Sequence, residues 1–187
     1  IFMMRGYSIS RDNALVAFAT DTTGDRRCLL SVLELPSKSR LPDAISNTSG
    51  SYEWANDGRT LLYVLNDPTV RAYRVMRHVL GTDPALDQEV YTERDSTFGV
   101  SLSASRDHAF IFIASSSTLS SEWRYLSADR PTAPPTVIQA RRPDMLYGVT
   151  EHVDGRFFIT TNKDAKNFKL VSTPVKTPGM SAWTDVL

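Results

Sequence analysis

The sequence predicts an all-β chain, a β-propeller sector of about four four-stranded blades, and three observations carry that prediction. A strand–turn–strand pattern built around an aspartate recurs at Asp12, Asp57, Asp107 and Asp154, at intervals of 45, 50 and 47 residues. A second strand-like run follows each aspartate by about 14–16 residues. No window of 12 residues sustains a helical period. Short strands repeating every 40–50 residues or so are the mark of propeller blades. One four-stranded sheet has two faces and cannot bury both alone, so consecutive sheets stack. A β-sandwich would not demand the repeated spacing.

The blades follow in order. The first, about 7–50, holds "YSISRDNALVAF" (7–18) and "CLLSVLEL" (28–35), with room for another strand between 35 and 52. The second, about 51–98, holds "SYEWANDGRTLLYV" (51–64), "YRVMRHVL" (73–80) and "QEVYTE" (88–93). The third, about 99–146, holds "VSLSASRDHAFIFI" (100–113), "WRYLSA" (123–128) and "TVIQAR" (136–141). The run from Ala109 to Ala114 is apolar on both faces, as a doubly covered strand requires. The fourth, 147–187, holds "YGVTEHVDGRFFIT" (147–160) and "FKLVST" (168–173) but no clear fourth strand; "SAWTDVL" (181–187) reads equally as the start of a further blade. Turn signals at Thr23-Gly24-Asp25, Asn47 to Gly50, Asn56-Asp57-Gly58, Gly81-Thr82-Asp83 and Asp154-Gly155 separate the runs. Pro36, Pro68, Pro131, Pro134 and Pro135 fall between strands, where a missing N–H costs no ladder bond. The chain thus reads as a single partial propeller domain, 1–187, whose open blade edges are expected to self-associate.

Twenty-one basic residues balance twenty-one acidic ones, so no net field favours nucleic acid or an anionic membrane, and neither partner is expected. The single cysteine, Cys28, permits no internal disulfide, which fits a reducing compartment and also many secreted proteins of this size. The start, Ile1 to Arg5, has too short an apolar stretch for a signal peptide and reads as a chain entered partway.

The stretches "SRDNALVAFATDTTGD" (10–25), "YRVMRHVLGT" (73–82), "SSSTLSSEWRYLSAD" (115–129) and "TNKDAKNFKLV" (161–171) resemble the oligopeptidase B (protease II) branch of the prolyl oligopeptidase family of serine peptidases, in order and spacing along essentially the whole chain. Met76, where that family usually has an aromatic residue, and Arg11, where proline is common, are modest departures. The resemblance implies a seven-bladed propeller over an α/β-hydrolase domain, its own partner, with a Ser-Asp-His triad reached only by short peptides and cleavage after Arg or Lys. This chain would supply about four of the seven blades, and a cytoplasmic location goes with that reading.

The residues themselves offer no catalytic machinery. No glycine pair frames a serine as G-x-S-x-G. Ser115, Ser116, Ser117, Ser120 and Ser121 read as turn serines making local bonds. His78 falls in a strand; His108 and His152 fall near turns, and their spacing offers no metal-ligand pattern. No catalytic residue, cofactor or metal is expected within the chain, and no substrate-binding residue is assigned. The four turn aspartates read as turn-formers bonding their own backbone rather than as a shared binding site. Arg71, Arg74 and Arg77 recur at every third position; Arg74 and Arg77 should face opposite sides, solvated, locally paired or at the hydrolase interface. Glu122 and Arg124, flanking Trp123, should share a face as a structural pair or an interface contact. A non-enzymatic propeller presenting a rim to a protein partner is the alternative of a different class. A proline-preferring member of the same family is a third reading.

Overall fold

The computed structural model describes residues 2–186; Ile1 and Leu187, the two ends of the expected domain, lie outside the described residues. All of its longer elements are strands. The first seven are β1 (Met3–Ile9), β2 (Leu15–Asp21), β3 (Cys28–Glu34), β4 (Ser39–Trp54), β5 (Thr60–Asn66), β6 (Ala72–Val79) and β7 (Gln88–Thr92). They form one antiparallel sheet in chain order. A second sheet has β8 (Gly99–Ala104), β9 (Phe110–Ser116), β10 (Ser121–Ser127) and β11 (Thr136–Gln139) in the order β11-β10-β9-β8. A third has β12 (Tyr147–Val153), β13 (Arg156–Thr161), β14 (Lys169–Pro174) and β15 (Thr184–Asp185), again in chain order. Two short 3-10 turns, Pro84–Leu86 and Met180–Ala182, were not legible as such. The chain divides into two compact units, 1–102 and 103–187.

The seven-stranded sheet is two four-stranded arrays that share β4. Its front half pairs with β3 (Leu30↔Ile45) and its rear half with β5 (Tyr52↔Tyr63). The expected boundary at 50/51 therefore falls inside a continuous strand. The strand bends instead of ending because Asn47 (φ 58°) and Gly50 (φ 87°) take left-handed backbone conformations. The Asn47 side chain donates to the Asn66 carbonyl (2.9 Å) and accepts from Arg27 Nη1 (2.9 Å). At Gly50 a Cβ would also lie 3.1 Å from the Arg5 Cβ.

The bend brings apolar faces together. Tyr52 and Trp54 of rear β4, with Leu61 and Tyr63 of β5, join Ala17, Ala19, Cys28, Leu30 and Val32 of β2 and β3 in one buried cluster. Tyr52 donates its hydroxyl to the Gly6 carbonyl (2.8 Å) and Trp54 its indole N–H to the Ser8 carbonyl (3.0 Å), so the same side chains pin β1. On β9, Ile111, Phe112, Ile113 and Ala114 are all buried, as the doubly apolar run requires.

The last sheet corrects one expectation. Thr184 and Asp185 pair with Ser172 and Val171 as a short fourth strand. This part of "SAWTDVL" therefore closes the sheet instead of opening another. Two residues carry too little alternation to read as a strand.

Candidate functional site

Three of the four turn aspartates fold their own loops. Asp12 accepts from the Ser10 hydroxyl (2.6 Å) and the Ala14 N–H (3.0 Å), and Asp107 accepts from Ser105 (2.6 Å) and Ala109 (3.0 Å) in the same way. Asp57 accepts from the Arg59 and Thr60 N–H groups and the Thr60 hydroxyl. Asp154 differs: with Gly155 it makes a two-residue hairpin between Val153 and Arg156 in which both φ values are positive, 48° and 72°. Among the described residues no group of three or more His, Cys, Asp or Glu side chains is placed to hold a metal ion.

The serine clusters serve the β9–β10 hairpin. Ser117 and Ser120 bond each other across the turn, and Ser121 exchanges hydrogen bonds with the Tyr147 backbone (2.7 and 2.8 Å). Arg71 bonds Asp67 (2.9 Å) and the Phe98 carbonyl (2.9 Å); Arg74 reaches Glu89 (3.5 Å), and Arg77 donates to Gln88. Glu122 pairs with Arg124 and also accepts from the Arg141 N–H (3.0 Å). All of these side chains are engaged within their own units.

His78 and His152 both meet carboxylates far from them in the chain. His152 Nδ1 meets Asp107 Oδ2 at 2.6 Å beside a cavity of about 380 Å³ lined by Arg106, Glu151 and Asp154. Burial pushes the Asp107 carboxyl up, but hydrogen bonds from Ser105, Ala109 and His152 outweigh it and hold the group at about 2. Glu151 accepts from the Arg106 and His152 N–H groups, so the Asp107 and Glu151 carboxylates are occupied locally. His78, wholly buried, sits between two carboxylates: Nε2 lies 2.9 Å from Asp43 Oδ1 and Nδ1 lies 2.8 Å from Asp87 Oδ1. The Tyr63 hydroxyl donates to the other Asp87 oxygen (2.8 Å), and the Gly81 N–H donates to Asp43 (2.6 Å). The cluster ties β4, β5, β6 and the first 3-10 turn together, and its chemistry is structural.

An open polar cavity lies in the first unit. It measures about 320 Å³ and is walled by Gly6, Tyr7 and Ser8 of β1 and Ser51, Tyr52 and Glu53 of β4, with Leu102 at its side. Glu53 lies on the opposite face of β4 from Tyr52 and Trp54, and among the described residues neither a hydrogen bond nor an ion pair reaches its carboxylate. Burial alone pushes that carboxyl up to about 7. Between 4.5 and 7 the unfolded chain releases a proton that the folded chain keeps, so Glu53 subtracts stability as pH rises through that window. Glu53→Gln is therefore expected to be more stable than the wild type by about 1–3 kcal/mol at pH 8 and equal to it near pH 4, by denaturant unfolding. The same difference at both pH values would contradict this.

Antiparallel meanders of four strands following one another in chain order define the class: a β-propeller domain. The chain belongs to the prolyl oligopeptidase family, matching over residues 1–187 the description "Prolyl oligopeptidase, N-terminal beta-propeller domain". It is 40% identical over 181 residues to dipeptidyl aminopeptidase BI of Pseudoxanthomonas mexicana, covering 96% of this chain and 25% of that protein. Protease 2 of Moraxella lacunata is 32% identical over 169 residues, covering 89% and 24% respectively. The solved structure of oligopeptidase B from Leishmania major superposes with a TM-score of 0.92 at 27% identity, over 100% of this chain and 26% of that one. That of Trypanosoma brucei oligopeptidase B with covalently bound antipain, in its closed form, gives 0.83 at 26% identity, over 95% and 25%. The chain thus spans about a quarter of the length of the relatives it matches.

Proposed function

We propose that this propeller gates substrate entry in a serine oligopeptidase that hydrolyses short peptides after Arg or Lys, its partner being an α/β-hydrolase domain that carries the triad. The observation that supports this most is the likeness of the whole of this chain to about a quarter of oligopeptidase B from Leishmania major, beside the Arg-His-x-Leu-Gly-Thr and Ser-Glu-x-Arg-Tyr-Leu stretches that resemble that branch. Family membership favours this over a non-enzymatic interaction module. A propeller limits access by sterics, and closure on a second domain completes the site. A cytoplasmic location goes with the same proposal; the buried Cys28 fits a reducing compartment as it fits many secreted proteins. The isolated chain is expected to self-associate through β1, where Met4 and Tyr7 are 55% and 66% exposed; a sedimentation profile independent of concentration would contradict that.

The name of the Pseudoxanthomonas relative favours a second reading, release of dipeptides from a free amino terminus. Both are tested on the full-length protein with fluorogenic peptides ending in Arg, Lys or Pro, each with a blocked and a free N-terminus. Cleavage of blocked Arg and Lys peptides supports the oligopeptidase. Turnover confined to free-amino dipeptides supports the second reading, and a preference for Pro overturns the basic specificity.

A further inference from the structure

We infer that the Glu53 cavity is a subsite for a guanidinium or ammonium group of a peptide. The inference rests on the basic-peptide reading above. Its geometric basis is a half-buried carboxylate at the cavity wall that has no partner among the described residues. Such a group costs free energy unless a donor reaches it. The cavity volume of about 320 Å³ falls within the range of small-ligand sites, about 300–1,000 Å³.

Its walls suit a cation. Ser8, Ser51 and Tyr7 bring hydroxyls, and β1 presents backbone groups along the outer edge of its sheet. The Ser51 oxygen already accepts from the Leu102 N–H (2.8 Å), which fixes that wall. Arg5, the cation at the cavity, reaches the buried Asp21 at 3.8 Å. A planar guanidinium presents paired donors that match a carboxylate bidentately. The titratable and charged groups lining the space beside Glu53 are Arg5, Tyr7 and Tyr52; Tyr52 is itself pushed up to about 12, chiefly by burial. Near neutral pH, then, Glu53 is the group in the cavity whose charge changes, and a bound cation favours its ionised form.

The test is calorimetric titration of agmatine, a guanidinium without a carboxylate, into the full-length protein and its Glu53→Gln variant, at pH 6 and pH 8. Hydrolysis of an Arg-ended peptide is followed in parallel. One agmatine site is expected to weaken about ten-fold from pH 8 to pH 6, as the ionised fraction of a group titrating at about 7 dictates, and to vanish in Glu53→Gln, while the wild type hydrolyses the Arg-ended peptide. Thermal unfolding of the variant reports that it is folded. Identical isotherms for the two proteins, with hydrolysis intact, would overturn the subsite and leave the peptidase reading standing. Loss of an agmatine site in Glu53→Gln without any Arg-dependent hydrolysis would uphold a cation site and overturn the peptidase reading. An agmatine site lost in the variant but equal at both pH values would also overturn the carboxylate pairing.

Discussion

His78→Ala is expected to destabilise the protein by about 3–5 kcal/mol, because it leaves two buried carboxylates facing a void without their common partner. His78 is fully buried, and Asp43 and Asp87 are 6% exposed and largely buried at the side chain respectively. Each ring nitrogen faces a carboxylate oxygen, so the imidazole is the shared partner of both acidic groups. Burial raises the Asp43 carboxyl, but the Gly81 N–H and His78 more than offset it and hold it below its ordinary value. Removing the ring takes away that compensation. Denaturant unfolding of His78→Ala, Asp87→Asn and the double variant should show strong coupling between the two sites. A loss below about 1 kcal/mol, or additive single effects, would mean that the cluster holds nothing together.

The second large effect is expected in the other unit. Phe157 is 0% exposed, and its ring meets those of Phe110, Phe112 and Tyr125 edge-on at centroid distances of 5.3, 5.5 and 5.0 Å. Ile159, Val149 and Val171 complete that core. Edge-to-face packing adds to the area each ring buries. Phe157→Ala should cost about 3–5 kcal/mol, since neighbours held in strands collapse poorly into the cavity. Phe157→Leu, which keeps most of the volume, should cost about 1–2 kcal/mol. Equal, small effects of both substitutions would place the stabilising core elsewhere.

Much of this architecture could be read from the chain because strands alternate and turns have their own chemistry. The Ser10-x-Asp12 and Ser105-x-Asp107 loops are nearly the same sequence and fold the same way. Asp154-Gly155 is a hairpin signal that the structure uses as such. The continuity of β4 was not legible, because Asn47 and Gly50 read locally as a stop and only their long-range bonds show a bend. His78 could be placed in a strand, but its partner Asp43 is 35 residues away and no local pattern links them. Glu53 did leave a signal. A charged residue between Tyr52 and Trp54, in a strand opposite Leu62, is out of place in a sheet covered on both faces. The aromatic neighbours mask that signal, since by themselves they account for the stretch as packing.

The most direct measurement compares the 187-residue chain alone with the full-length protein on a blocked, Arg-ended fluorogenic peptide, with and without a serine-directed inhibitor. The chain alone should give no turnover, while the full-length protein should cleave the peptide and stop when the inhibitor is added. Inhibitor-sensitive turnover by the pure chain would contradict a propeller that gates chemistry performed outside it.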